Sequence, residues 1–439
     1  MNIKRKIAIA AVPAVMALAS TSVDSKILLM SQEGWEVSFD GAANAFIMKN
    51  STSNVPDSSG GTGNIAFDTY GGVTGANSHD DTSIVTGLLP NVWGMTLKAP
   101  TANGLDVSAR LGLYTHMNGG DNSLGNGQLN IRETSGSVAG SFGTVLVGRS
   151  LGIHQSNAIL SDMLLFGVGA AASASNSNTT LGRIGLGYLY TDFKPQVSWT
   201  LPGMDALGGN FGAKIGLFDP DDVVADTATF SATDKSSPRV EAQITYNGGL
   251  GDLGINLWVD GTYQNTERNE SEAALRTAHD ASGNNTNVTN DRDTDVDSAG
   301  VGFGTKLTYQ GFGLVATGFY GNALGIRGQR ATGAGGNGAL DDVGTERKSY
   351  GGYLQGTYDF GQGTSAGYSY GGNCLKRTGN DIQARGVMNC QTMHSGMIWH
   401  NVTDNFRLIA EGGFTEKTWY LADSEQEDSF GGVGAFFFW

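Results

Sequence analysis

The stretch Arg239-Val240-Glu241-Ala242-Gln243-Ile244-Thr245-Tyr246 alternates with period two. Val240, Ala242, Ile244 and Tyr246 fall on one side; Arg239, Glu241, Gln243 and Thr245 fall on the other. Consecutive side chains of a strand point to opposite faces, so this pattern predicts a strand with one apolar and one hydrated face. Residues 105–114 repeat it, with Leu105, Val107, Ala109, Leu111 and Leu113 against Asp106, Ser108, Arg110, Gly112 and Tyr114. Residues 301–309 do so again, setting Val301, Phe303, Thr305, Leu307 and Tyr309 against Gly302, Gly304, Lys306 and Thr308.

Extended along the chain, the pattern gives 16 strands: 35–49, 91–98, 105–117, 128–134, 142–149, 183–200, 209–218, 238–248, 252–264, 298–310, 312–321, 346–359, 363–372, 391–400, 405–420 and 429–439. Segment 183–200 is too long for one crossing, and its apolar parity switches, which predicts a bulge near Pro195. Short connections such as 99–104, 249–251 and 360–362 alternate with long ones such as 50–90, 150–182 and 265–297. Short turns at one end and long loops at the other are the mark of a bacterial membrane barrel, and an even strand count puts both termini at the short-turn end. The expected fold is therefore all-β: a membrane-spanning, antiparallel, up-and-down barrel.

Composition agrees. Only 39% of the 439 residues are hydrophobic, which is thin for a soluble core of this size but suits a barrel with lipid outside and water within. The 67 glycines show no three-residue period, which excludes collagen, and no 20–50-residue repeat supports a solenoid. No stretch reaches 18 uninterrupted apolar residues, so no transmembrane helix is expected.

Residues 1–19 read as a signal peptide, with Lys4, Arg5 and Lys6 ahead of the apolar run Ile7 to Leu18 and cleavage after Ala19; residues 20–439 form the barrel domain. Cleavage leaves 24 Lys and Arg against 42 Asp and Glu, a net charge of −18, which argues against a nucleic-acid partner. In the oxidising compartment beyond the inner membrane, Cys374 and Cys390 are expected to pair.

The chain ends Val433-Gly434-Ala435-Phe436-Phe437-Phe438-Trp439, with Val433, Ala435, Phe437 and Trp439 on one face. This resembles the last strand of Gram-negative outer-membrane proteins, whose terminal aromatic residue is read by the barrel-assembly machinery. Ser141-Phe142-Gly143-Thr144-Val145-Leu146-Val147-Gly148-Arg149 resembles the porin strand that precedes the loop folded into the pore. The resemblance to the 16-stranded general diffusion porins implies an outer-membrane channel for small hydrophilic solutes and ions. It also implies a homotrimer in contact with lipid and lipopolysaccharide, and an inward-folded third outer loop at about 150–182. In that family, wall cations face loop acids across the constriction.

By that resemblance Arg149 is the first constriction candidate, turning inward at its strand end, with Arg110 and Arg132 beside it on polar faces and Asp162 as the loop's single acid. Lys98, Arg183, Lys306, Arg407 and His154 are further lining candidates, and Lys214, Glu241 and Glu411 also fall on polar faces. Met163-Leu164-Leu165-Phe166 replaces the family's loop signature; it either anchors the loop to the wall or forms an apolar ledge. Asp291, Asp293, Asp295 and Asp297 mimic a calcium loop, but Val296 and Gly302 stand where Gly and Glu belong, so no metal is expected. A diffusion channel needs no cofactor and no nucleophile, and none of the six histidines (79, 116, 154, 279, 394, 400) sits in a catalytic motif. The competing readings are a substrate-specific channel, an outer-membrane barrel enzyme and a secreted adhesin.

Overall fold

The computed structural model describes residues 26–53, 79–117, 129–170, 179–223, 232–268, 276–279, 285–288, 295–328, 338–341, 344–379, 388–420 and 425–439. The leader 1–19, Asp291 and Asp293 lie outside them. Sixteen long strands form the barrel: β1 (Trp35–Thr52), β2 (Asn91–Lys98), β3 (Asp106–Thr115), β4 (Leu129–Gly140), β5 (Gly143–Leu151), β6 (Phe193–Thr200), β7 (Gly209–Phe218), β8 (Arg239–Leu250), β9 (Leu253–Arg268), β10 (Asp295–Tyr309), β11 (Phe312–Asn322), β12 (Lys348–Gly361), β13 (Thr364–Lys376), β14 (Met388–Thr403), β15 (Phe406–Trp419) and β16 (Glu425–Phe438). Each pairs antiparallel with the next. The sheet closes where Ala42–Thr52 of β1 pairs with β16.

Sequence alternation becomes a two-sided wall. Ile244, Leu354 and Val433 are more than half exposed on the outside, as are Ile131 and Val147. The intervening positions turn inward, among them Asp40, Glu241, Asp260, Gln355 and Ser395, all buried. Each exposed apolar side chain can meet lipid without leaving an unpaired backbone group behind it, because the ladders satisfy the N–H and C=O groups. Tight turns with positive φ at Gln310-Gly311 and Gln362-Gly363 make the short-turn end.

β1 outruns its neighbours. Below the closure its edge pairs with a short strand, Ile27–Gln32, and above β2 its other edge pairs with His79–Val85. The closure itself is locked by the last residue: Gly41 and Trp439 exchange two backbone hydrogen bonds of 2.8 and 3.1 Å. The Trp439 ring packs on Trp93 and Phe39 at centroid distances of 4.8 and 5.8 Å. Phe437 faces outward and stacks on Phe406.

Two strand readings change. Segment 183–200 is not one bulged strand: β6 starts at Phe193, its register past Pro195 is continuous, and 183–192 belongs to the preceding connection. Positive φ at Gly185, Gly187 and Asp192 is the reason, since repeated left-handed residues cannot hold a ladder. The bulge lies elsewhere. Between β3 and β4 the register passes from Gly112↔Glu133 to Leu113↔Ile131, leaving Arg132 as the extra residue. Cys374 and Cys390 are disulfide-bonded, and they face each other directly across β13 and β14 rather than within a loop.

A Cβ on Gly41 would lie 2.2 Å from the Val92 carbonyl oxygen and 2.7 Å from the Trp439 ring. Gly41→Val should therefore destabilise the barrel by about 1–3 kcal/mol. Urea unfolding in micelles, followed by tryptophan fluorescence, should show the shift; an unchanged midpoint would remove the closure from the stability account.

Candidate functional site

The site is built on the connection between β5 and β6, residues 152–192, which starts and ends later than the expected 150–182. It contains one helical turn, α1 (Ser156–Ser161), followed by a 3-10 turn, Met163–Phe166. Nearly all of its described side chains are buried, and their partners are inner-row residues of the wall from β8 round to β16.

Three wall carboxylates hold the loop by its backbone. Glu241 on β8 accepts the amides of Ile153 and His154 at 2.7 and 3.0 Å, and also takes the Lys194 ammonium at 2.7 Å. Asp260 on β9 accepts the Gln155 amide at 3.0 Å and lies 2.6 Å from His154 Nδ1. Glu411 on β15 accepts the amides of Val168 and Gly169 at 2.8 and 2.9 Å. Loop backbone cut off from water must find such partners, and carboxyl oxygens on the wall supply them. Gln355 on β12 adds a bond from the Met163 amide, and Tyr353 on the same strand donates to the Ala158 carbonyl.

The apolar run fills the space between these anchors. Leu164 is fully buried, Met163 and Leu165 nearly so, in one cluster with Phe46, Met393, Met397, Ile409 and Phe436. The Phe166 ring meets Phe436 edge-on at 5.5 Å. Met163-Leu164-Leu165-Phe166 thus anchors the loop and offers no exposed ledge.

The candidate charges separate into groups. Asp162 and Arg183 do not face water. Both are buried inside the loop, with 3.8 Å between carboxylate and Arg183 Nε; Asp162 also accepts the Leu164 amide and the Tyr188 hydroxyl. Burial pushes the Asp162 carboxyl above the usual carboxylate range, despite Arg183 acting against it. His154 is likewise a loop anchor. Arg110 lies on the inner wall, bidentate to Asp40 at 2.9 and 3.0 Å and 3.0 Å from Glu133. Arg132, re-aimed by its bulge, lies over the rings of Tyr114 and Phe193 at 5.3 and 5.9 Å.

Arg149 is half-buried and does not end its strand. β5 runs on to Leu151, and the register places Arg149 opposite Thr134 and Pro195, on the outward row with Val145 and Val147. Lys98 is exposed at the short-turn end of β2, opposite Glu36. Lys306 shares an inner row with Asn256 and Val315. Arg407 donates to Asn401 at 2.7 Å and lies over Phe166 and Phe438, where the loop meets the wall. The anchoring roles of Asp260 and Gln355 are not signalled in the sequence, because an inner-row acid or amide looks the same whether it faces water or a loop. Asp295 and Asp297 lie at the outer end of β10, and no cluster of three metal-ligating side chains occurs among the described residues.

No family model and no curated protein matches the chain. Solved structures do. The outer membrane channel DcaP of Acinetobacter baumannii superposes with a TM-score of 0.60 at 14% identity, over 94% of this chain and 99% of that one. An anion-selective porin from Comamonas acidovorans gives 0.55 at 14%, over 92% and 100%. A loop-deletion mutant of OmpT, an outer membrane protein of Vibrio cholerae, gives 0.51 at 15%, over 93% and 100%. At such identities the likeness shows a shared fold: the closed 16-stranded barrel of outer-membrane porins.

Glu411→Ala would strand the Val168 and Gly169 amides and weaken loop docking by about 3 kcal/mol. Hydrogen exchange across 163–170 should accelerate, and unchanged protection would contradict the anchoring role. Asp162 titrates with the opposite sign to a salt-bridged acid. Its raised value stabilises the docked loop at low pH, and that stability is lost as pH rises through it. Protection of the loop should therefore fall with rising pH, and Asp162→Asn should remove the share of that dependence that Asp162 carries.

Proposed function

We propose that this chain is an outer-membrane porin, forming a water-filled channel through which small hydrophilic solutes and ions diffuse passively. The observation that carries this reading is the two-sided wall with a loop pinned to its inner rows. A closed sheet that is apolar outside and polar inside is stable only with lipid around it and water or polar groups within it. A loop tied to the wall at three carboxylates narrows the lumen without collapsing into a moving plug. Selection in such a channel comes from width and lining charge, and no bond is made or broken.

The remaining parts follow from this reading. Residues 1–19 direct export, and the aromatic end at Phe437 and Trp439 serves recognition by the barrel-assembly machinery. The outward apolar rows meet lipid and, at the outer rim, lipopolysaccharide. Three copies associate through their outer walls. The wall near Arg110, with its neighbours Asp40 and Glu133, forms the side of the constriction opposite the loop.

Refolded protein added to a planar bilayer should insert in discrete conductance steps, and liposomes carrying it should swell in small sugars. Correctly folded barrels, verified by heat-dependent gel mobility, that give neither steps nor swelling would overturn the channel reading. A flux that saturates with one solute would mark a substrate-specific channel instead.

A further inference from the structure

On the outside of the barrel, two lysines stand directly opposite each other across a ladder. Lys348 on β12 faces Lys376 on β13. Both are exposed, on the outward rows that carry Tyr350 and Leu354 on one strand and Tyr368 and Tyr370 on the other. Neither is in an ion pair with a described residue. Like charges so placed repel, and an anion held between them relieves that cost. Arg377 follows, exposed, with its guanidinium 5.4 Å from the centre of the Tyr420 ring. The neighbouring acids are turned elsewhere. Glu346 accepts the Asp297 amide at 3.3 Å, Asp297 accepts the Tyr263 hydroxyl at 2.9 Å, and Glu416 faces Glu427 two strands beyond Lys376. The neighbour of Lys348 on β11 is the neutral Asn322.

The row below this pair reads as a section through a membrane. On β12 it runs Lys348, Tyr350, Gly352, Leu354, Gly356, Tyr358. Tyr350 pairs with Tyr320 of β11, and both are exposed. Tyrosines gather where hydrocarbon meets water. Tyr350 to Tyr358 covers about 27 Å of strand and, at a tilt of about 40°, about 20 Å of depth, close to the apolar band of about 25 Å that such barrels present. The lysines therefore lie just outside the hydrocarbon, at the end away from the short turns, at the level of lipid headgroups. Immediately beneath them the wall is smooth. Gly318, Gly352 and Gly372 are side by side on β11, β12 and β13, and a Cβ on Gly318 would lie 2.8 Å from the Phe303 ring.

We propose that Lys348 and Lys376 seat the phosphate of one outer-leaflet lipid, whose acyl chains lie down the wall over Gly352 toward Leu354. The seat depends on the membrane barrel alone and not on conduction, and it adds a fixed position to the general contact between wall and lipid. Each ammonium offers three donors, and charge-assisted bonds to phosphate oxygens are among the strong ones. A lipid also covers the apolar surface beneath the lysines, which a free phosphate ion leaves bare.

The test titrates the refolded barrel, in neutral-detergent micelles, with phosphorylated lipid A, with the same lipid after its phosphates are removed, and with inorganic phosphate. The phosphorylated lipid should bind most tightly. The double variant Lys348→Gln, Lys376→Gln should weaken it by about thirtyfold, the loss expected for two lysines at a lipid surface. The dephosphorylated lipid should bind the unmodified barrel no better than it binds the double variant. Lys49→Gln, at an exposed outward lysine on β1, should leave affinity unchanged. Equal binding of the two lipids, an unaffected double variant, or an equal loss with Lys49→Gln overturns the seat. Inorganic phosphate that binds as tightly as the lipid would mark a free-anion site and overturns the lipid assignment. Conductance of the same preparations in planar bilayers tests the channel reading separately, so the failure of one leaves the other standing.

Discussion

The ladder between β1 and β16 is the constraint on which the rest depends. Hydrocarbon offers no hydrogen bonds, so a sheet with two free edges cannot rest in it. Closure removes both edges at once and forces alternate residues into two environments, lipid and lumen. It also brings the last residue onto the first strand, where Trp439 bonds to Gly41 and packs on Trp93. The terminal aromatic residue is therefore a structural part of the seam, whatever else reads it.

Closure creates a second problem, an interior wide enough to flood, and the loop between β5 and β6 answers it. Its turns expose backbone amides, and the wall meets them with Glu241, Asp260 and Glu411. Burying three carboxylates is costly unless they find partners; each accepts at least one loop amide, while Asp260 places both its contacts on Oδ1 and leaves Oδ2 buried without a hydrogen bond. The same arrangement withdraws negative charge from the water surface. Loop anchoring and lumen electrostatics are thus one feature: the acids that hold the loop are buried against it and do not line the passage.

Much of the wall was legible in the sequence because its code has period two and is repeated in every strand. The 16 strands, their order and the side each residue takes at 239–246, 105–114 and 301–309 follow from alternation alone. The interior was less legible. Arg183 to Asp192 contains apolar residues at strand-like spacing, and only the positive φ at Gly185, Gly187 and Asp192 reveals a loop. Asp162 looks like a pore acid, being the only carboxylate of the expected span 150–182, but pairs inward with Arg183 and Tyr188. Arg132 reaches its place through a one-residue bulge that leaves no local mark. In each case the deciding partner is distant in sequence, which periodicity cannot report.

The most direct test of the closed, lipid-clad barrel uses two adjacent residues of β4. Ser137 turns inward, its hydroxyl 2.8 Å from that of Ser108, whereas Val138 lies in the outward row with Val107 and Val145. With Ser137→Cys and Val138→Cys in bilayers, a charged, water-soluble thiol reagent should modify position 137, reduce single-channel current, and leave position 138 untouched. Equal labelling of both, or labelling of 138 alone, would mean that the wall does not separate lipid from water as described.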